Sequence, residues 1–287
     1  MTVKRFIKKG INFIITNVAH RAIVHPQIMT IAPSQILNGR TALITGGTSG
    51  IGYEIAKAFL NAGATVIITG RNQDRINKAV KEMQKIISTP NIYGLQLDNS
   101  IVSDFKPKFA EALHLVGRPI DILVNNAGIL GSDMSEDAET TYDYVLDTNL
   151  KGVFFLTSHV SDYMISNNIK GNILFIASSS SLRPAINAYT LSKWGIRGLT
   201  LGMAKKLIKK GIVVNGIAPG PTATPMMNKE SSNDLSLPNN PSGRYTTPEE
   251  VANIALLLVS DMGRQIVGDI IYISGGAGVI TFDDIQY

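Results

Sequence analysis

Along the chain, short apolar runs alternate with longer stretches in which apolar residues recur every three or four positions. Thr41–Ile44, Ala64–Thr69, Asn91–Leu97, Ile120–Val124, Ile173–Ala177, Gly211–Ala218 and Asp269–Ile273 read as buried strands. Between them, helical spacing runs through Tyr53–Phe59, Ile101–Val116, Tyr142–Asn168 and Tyr189–Lys209. Thr247-Pro248-Glu249-Glu250 opens a last helix with a capping hydroxyl, a first-turn proline and two acids. The succession predicts an α/β fold: a doubly wound, mainly parallel sheet with helices on both faces. Strand-end loops of such a sheet converge on one ligand crevice.

Those loops carry the candidate chemistry. After the first strand comes T-G-G-T-S-G-I-G, Thr45 to Gly52. A glycine turn between strand and helix is the setting of a dinucleotide-binding loop, where the backbone approaches closely and helix-end N–H groups receive phosphate. Gly46, Thr48, Ser49, Gly50, Ile51 and Gly52 are therefore candidate cofactor contacts. The spacing departs from G-x-G-x-x-G, and a purely structural turn is the alternative. The second strand ends in Gly70-Arg71, where an acid would accept from a NAD ribose. Arg71 offers forked donors to a 2′-phosphate instead, which favours NADP(H) over NAD(H). It also fits the start of a solvated helix with Asp74, Arg75, Lys78, Lys81 and Glu82. Asp98-Asn99 follows the third strand, with Asp98 a candidate adenine contact or a helix-start residue. Asn125-Asn126-Ala127-Gly128 follows the fourth; Asn126 fixes the strand end, while Ala127 and Gly128 let the backbone near a cofactor.

The fifth strand enters Ser178-Ser179-Ser180-Ser181, and Tyr189-Thr190-Leu191-Ser192-Lys193 comes downstream. Four residues place Tyr189 and Lys193 on one helical face. Ketone reduction needs a proton for the developing alkoxide; a tyrosine supplies it, a lysine favours tyrosinate, and a serine holds the carbonyl. With N-N-A-G, with Asn149 in N-L-K-G, and with Pro219-Gly220, these motifs resemble the short-chain dehydrogenase/reductase family, in particular 3-oxoacyl-thioester reductases. The resemblance spans roughly Asn38 to Gly276.

It implies a Rossmann-type catalytic domain over residues 38–276. Tyr189 is then the acid/base, Lys193 its electrostatic partner and ribose contact, and Asn149 the support of a proton-relay water. Ser179 becomes the carbonyl-binding serine, although its interval to Tyr189 is shorter than usual in the family and Ser178 and Ser180 are alternatives. Pro219, Gly220, Thr222 and Thr224 fall near the nicotinamide and pyrophosphate. The implied activity is NAD(P)(H)-dependent interconversion of a carbonyl and a secondary alcohol, with reduction of a 3-oxoacyl thioester or other ketone by NADPH foremost. A sugar or polyol dehydrogenase is one alternative. A non-catalytic dinucleotide-binding regulatory or scaffold protein is another.

Composition narrows the partners. The 287 residues suffice for one sizeable core and contain no cysteine, which excludes disulfides and thiolate chemistry. The net charge of +5 comes from Lys4, Arg5, Lys8, Lys9 and Arg21, after which the chain is balanced and offers no broad nucleic-acid surface. Residues 1–37 form a basic extension and linker; Ile7, Ile11, Ile14 and Val18 suit an amphipathic helix, although Gly10 weakens it. Asn12, Thr16 and Asn17 argue against a transmembrane span. Packing on the protein itself, weak attachment to a membrane surface and organellar targeting are the readings of this segment, with a cytoplasmic location expected otherwise. The four histidines form no metal pattern, so no metal is expected. Gly195, Gly198 and Gly202 make a bare helical stripe suited to close packing, and the resemblance implies a homodimer or homotetramer. Residues 226–245 read as a mobile substrate cover or exposed loop, and 277–287 as a tail packed on an adjacent surface.

Overall fold

The computed structural model describes residues 33–87, 91–131, 138–227 and 234–281. The expectations for the basic helix and most of its linker lie outside the described residues. Seven strands form the sheet: β1 (Thr41–Ile44), β2 (Thr65–Gly70), β3 (Ile92–Gln96), β4 (Ile122–Asn125), β5 (Asn172–Ile176), β6 (Val213–Pro219) and β7 (Ile270–Ile273). Their order is β3-β2-β1-β4-β5-β6-β7, and every neighbouring pair is parallel.

Parallel strands need crossovers, and helices supply them: α1 (Gly50–Asn61), α2 (Gln73–Ile87), α3 (Phe105–Val116), α4 (Ala138–Leu146), α5 (Gly152–Ser166), α6 (Ala188–Leu207) and α7 (Pro248–Val259). Both sheet faces are covered, which is why the strands read as unbroken apolar runs. Alternate residues divide between two cores. Ala42, Ile44, Val66, Ile68, Ile122 and Val124 join Ile55 and Phe59 of α1 and Val251 and Leu258 of α7. Leu43, Ile67, Leu123, Ile173 and Phe175 face Phe109 of α3, Val160 of α5 and Ile196 of α6. Leu37, assigned by the sequence to the extension, is fully buried in the first core.

At the edge where the strands begin, Arg40 pairs through Nε with Asp121 and donates from Nη2 to Asn172 Oδ1 at 2.8 Å. Asp121 also accepts from the backbone N–H of Thr41 at 2.7 Å. One guanidinium thus ties together the starts of β1, β4 and β5.

Two expectations change in detail. The single helix expected over Tyr142–Asn168 is α4 and α5 joined by a π-helical turn, Asp147–Lys151, with Asn149 at its centre. The glycine stripe is not uniform: a Cβ at Gly195 would lie 2.7 Å from Leu150, whereas Gly198 and Gly202 have nothing within 4 Å. Residues 234–245 of the expected cover or exposed loop form a hydrogen-bonded turn. Leu237 donates to Gly243 O and Tyr245 to Leu235 O, each at 2.9 Å, and buried Asn240 donates to Arg244 O.

That turn is anchored to α7. Arg244 meets Glu250 with two hydrogen bonds, 2.9 and 2.6 Å, while Glu250 also accepts from Thr247 N at 2.9 Å and Thr247 Oγ1 accepts from Glu250 N at 3.3 Å. Arg244, then the Thr247 amide, hold the Glu250 carboxyl down at about 2. A depressed carboxylate stabilises the fold above its ordinary range, and that contribution disappears as pH falls towards 2. Thr247→Ala removes the hydroxyl half of this capping box. It is expected to lower unfolding free energy by about 1 kcal/mol, read as a shift in urea midpoint at unchanged slope.

Candidate active site

The carboxyl ends of the strands open into one cleft. At its centre, Gly46 takes a left-handed φ of 65°, and a Cβ at Gly52 would lie 2.5 Å from Gly46 O. Only glycine fits this crossing. Asn126 fixes it from β4, donating from Nδ2 to Thr45 O at 2.9 Å and Gly46 O at 3.0 Å. Thr45 Oγ1 answers by accepting from the N–H groups of Asn126 and Ala127, both at 3.0 Å. Ser49 precedes α1 without a side-chain capping bond, and the first turn of α1 faces the cleft with Thr48, Ser49, Gly50 and Ile51. Unpaired helix-start N–H groups beside a bare backbone form a phosphate cradle.

One end of the cleft is cationic. Arg71, Asn72 and Arg75 line it, together with Leu97, Asp98 and Asn99 from the end of the neighbouring strand β3. Arg75 was visible in the sequence only as one charge on a solvated helix; its position one turn after Arg71 brings both cations to the same rim. Asp98 Oδ1 accepts from Ser100 N at 2.9 Å and Ser100 Oγ at 2.7 Å, so one of its oxygens serves the turn. Asn99 Nδ2 and Thr148 Oγ1 are buried cleft-wall atoms without hydrogen-bond partners. Such orphaned groups, the bare glycine cradle and the flanking cations fit the polar half of a nicotinamide dinucleotide.

At the other end, α6 presents Tyr189 and Lys193 one turn apart. Asn187 starts this helix by accepting from Thr190 N at 2.8 Å. Lys193 Nζ donates to Ile176 O at 2.9 Å and lies 5.6 Å from the centroid of the Tyr189 ring. Burial pushes this lysine down to about 8. Asn149 is committed to the loop after N-N-A-G: its Oδ1 accepts from Ile129 N and its Nδ2 donates to Ile129 O, both at 2.9 Å. A second donor contact reaches Ser192 Oγ at 3.3 Å. The side-chain amide therefore braces Ile129 against α6.

The serines need a correction. Ser178, the last extended residue, lines the cleft with Tyr189 and Lys193; Ser179 does not. The chain turns into a 3-10 segment at Ser179–Leu182, which carries the later serines into the protein. Ser179 packs instead against the turn at Gly278, where a Cβ would approach Ser179 O to 2.9 Å. Pro219, Gly220, Thr222 and Thr224 complete the wall, and Thr224 sits over Gly50. Ile129, Leu130, Met226 and Met227 give this end an apolar lining. Among the described residues no His, Asp or Glu cluster suits a metal, and no helix is long and apolar enough to cross a membrane.

Comparison with known proteins agrees with this geometry. The family described as short chain dehydrogenase matches residues 40–235. A 3-oxoacyl-(acyl-carrier-protein) reductase of Thermotoga maritima is 36% identical over 84% of this chain and 98% of its own length. A 2-dehydro-3-deoxy-D-gluconate 5-dehydrogenase of Bacillus subtilis is 35% identical over 84% of this chain and 95% of its own. The solved 3-ketoacyl-(acyl-carrier-protein) reductase of Brucella melitensis, complexed with NADH, superposes with a TM-score of 0.75 at 28% identity, covering 85% of this chain and all of that one. Cradle, Tyr189–Lys193 pair and likeness over most of the chain converge: this protein belongs to the short-chain dehydrogenase/reductase family and is an NAD(P)(H)-dependent oxidoreductase.

Proposed function

We propose that the protein reduces an uncharged ketone with an apolar flank, of the 3-oxoacyl thioester class, using NADPH. The observation that carries this reading is the polarity of the cleft. Its cations, Arg71 and Arg75, sit at the adenosine end, whereas Ile129, Leu130, Met226 and Met227 line the reacting end, where Lys193 is the one cation among the described lining residues. An acyl chain suits that wall. A sugar acid brings a carboxylate that would lose water there, while Lys193 is already committed to Ile176 O and to Tyr189.

Bound NADPH supplies the hydride. Ser178 Oγ donates to the substrate carbonyl and orients it, taking the role the resemblance gave to Ser179. Tyr189 passes its phenolic proton to the oxygen as negative charge grows, and Lys193 stabilises the tyrosinate left behind. Asn149 keeps Ile129, and with it the wall beside the substrate, in register. A homodimer or homotetramer is part of the same proposal, supported by open Gly198 and Gly202 and by exposed Phe154, Phe155 and Leu201.

The test is NADPH oxidation by the purified protein with an acetoacetyl thioester, set against NADP⁺ reduction with gluconate or a 2-keto-3-deoxy sugar acid. Faster turnover of the sugar acid would replace this reading with the second one, which the 35% identity to the Bacillus subtilis enzyme supports. A pH series provides a further check. The Lys193 value of about 8 lies below an ordinary lysine, so the free protein loses this charge as pH rises through that point. NADPH affinity is expected to fall over the same interval, and Lys193→Met should flatten the profile. A wild-type affinity unchanged from pH 7 to 9 would detach cofactor binding from the lysine charge.

A further inference from the structure

Helix α4 reaches the cationic end of the cleft through one residue. Tyr144 lies one turn before Thr148, which lines the cleft wall, and its hydroxyl accepts a hydrogen bond from Arg71 Nη1. The Arg71 guanidinium also stands 5.7 Å from the centroid of the Tyr144 ring, within the range of a cation–π contact. On the other side, Arg71 O accepts from Gln96 Nε2 at 2.8 Å, which fixes the backbone from which the side chain springs. Arg71 is exposed, and an exposed arginine loses much rotamer freedom when it must hold one geometry for a ligand.

We propose that Tyr144 is a positioning residue for cofactor choice: it holds Arg71 at the rim so that the guanidinium meets the adenosine 2′-phosphate. The proposal rests on the NADPH reading above. Tyr144 occupies one Nη1 hydrogen of the guanidinium. The remaining Nη and Nε donors stay available for a forked contact with phosphate oxygens. The hydroxyl bond holds that fork at the rim in advance, which reduces the ordering cost when the phosphate arrives. A cofactor lacking the 2′-phosphate gains nothing from this arrangement, so Tyr144 acts on the difference between NADPH and NADH rather than on affinity at large.

Calorimetric titration of both cofactors, at fixed ionic strength, against the wild type, Arg71→Ala, Tyr144→Ala, Tyr144→Phe and the double alanine variant tests this. Arg71→Ala should weaken NADPH about ten-fold or more and NADH little. Tyr144→Ala should weaken NADPH about two- to five-fold with NADH unchanged, and Tyr144→Phe, which keeps the ring, should lose less. In the Arg71→Ala background, Tyr144→Ala should have no further effect. A Tyr144→Ala protein with an unchanged or raised NADPH preference overturns the proposal, as does an effect that persists without Arg71. If Arg71→Ala itself leaves the NADPH/NADH ratio unchanged, the cofactor reading fails first, and that result is distinct from a failure confined to Tyr144.

Discussion

Tyr189→Phe is expected to keep NADPH affinity while lowering carbonyl reduction by about 100- to 10,000-fold, the usual worth of a positioned proton donor. The substitution keeps the aromatic ring over which Lys193 Nζ lies at 5.6 Å and removes only the oxygen and its proton. Lys193 keeps its own anchor, the 2.9 Å bond to Ile176 O, so the cofactor side of the site is preserved. What disappears is the proton for the nascent alkoxide. An unassisted tyrosine has a pKa near 10, and the neighbouring cation is what makes its anion accessible near neutral pH. Single-turnover hydride transfer at saturating NADPH, paired with equilibrium binding, separates the two effects. A folded Tyr189→Phe protein with normal binding and a nearly unchanged transfer rate would require another proton donor.

Gly152→Ala is expected to damage both the fold and the cofactor site. Gly152 follows the π-helical turn, and a Cβ there would overlap the backbone oxygen of Asn99 and lie 2.8 Å from its carbonyl carbon. Backbone cannot rotate aside as a long side chain can. Relief requires either moving the Asp98–Asn99 wall of the cleft or shifting α5 and the turn that holds Asn149. Overpacking of this kind costs about 3 kcal/mol. A lowered urea midpoint together with weaker binding of both cofactors is the expected pair of results. Unchanged stability would mean that the two segments do not approach as closely as described.

The legible parts of the sequence were those whose meaning is local. T-G-G-T-S-G-I-G, N-N-A-G and Y-x-x-x-K each place their chemistry within one turn or loop, and the apolar runs mark all seven strands to within a few residues. Four identical serines defeated the same reasoning: periodicity does not say at which one the strand stops and the 3-10 turn begins. Gly152 stood in a recognised motif, yet its reason is Asn99, brought near only by the crossover. Arg75 looked like any charge on a wet helix, and Tyr144 like packing, because nothing in their own segments points to the β2 rim. Asn149 was found, but its bonds to Ile129 were not, since that partner is a backbone group that no side-chain pattern reports.

The strand order has a bearing on how the chain assembles in time. No two sheet neighbours are joined by a hairpin, and β1 lies between β2 and β4. Its register with Ile122–Val124 therefore closes only after a long loop has been ordered. Such non-local pairing slows folding, because loop entropy is lost before contacts compensate for it. Arg40 sharpens the point, since Asp121 and Asn172 must both be present to satisfy it. A nascent chain released before β5 leaves that guanidinium half-satisfied and the apolar flank of β4 uncovered, a species prone to associate with others like it. Refolding yield should accordingly depend on protein concentration well before it depends on cofactor.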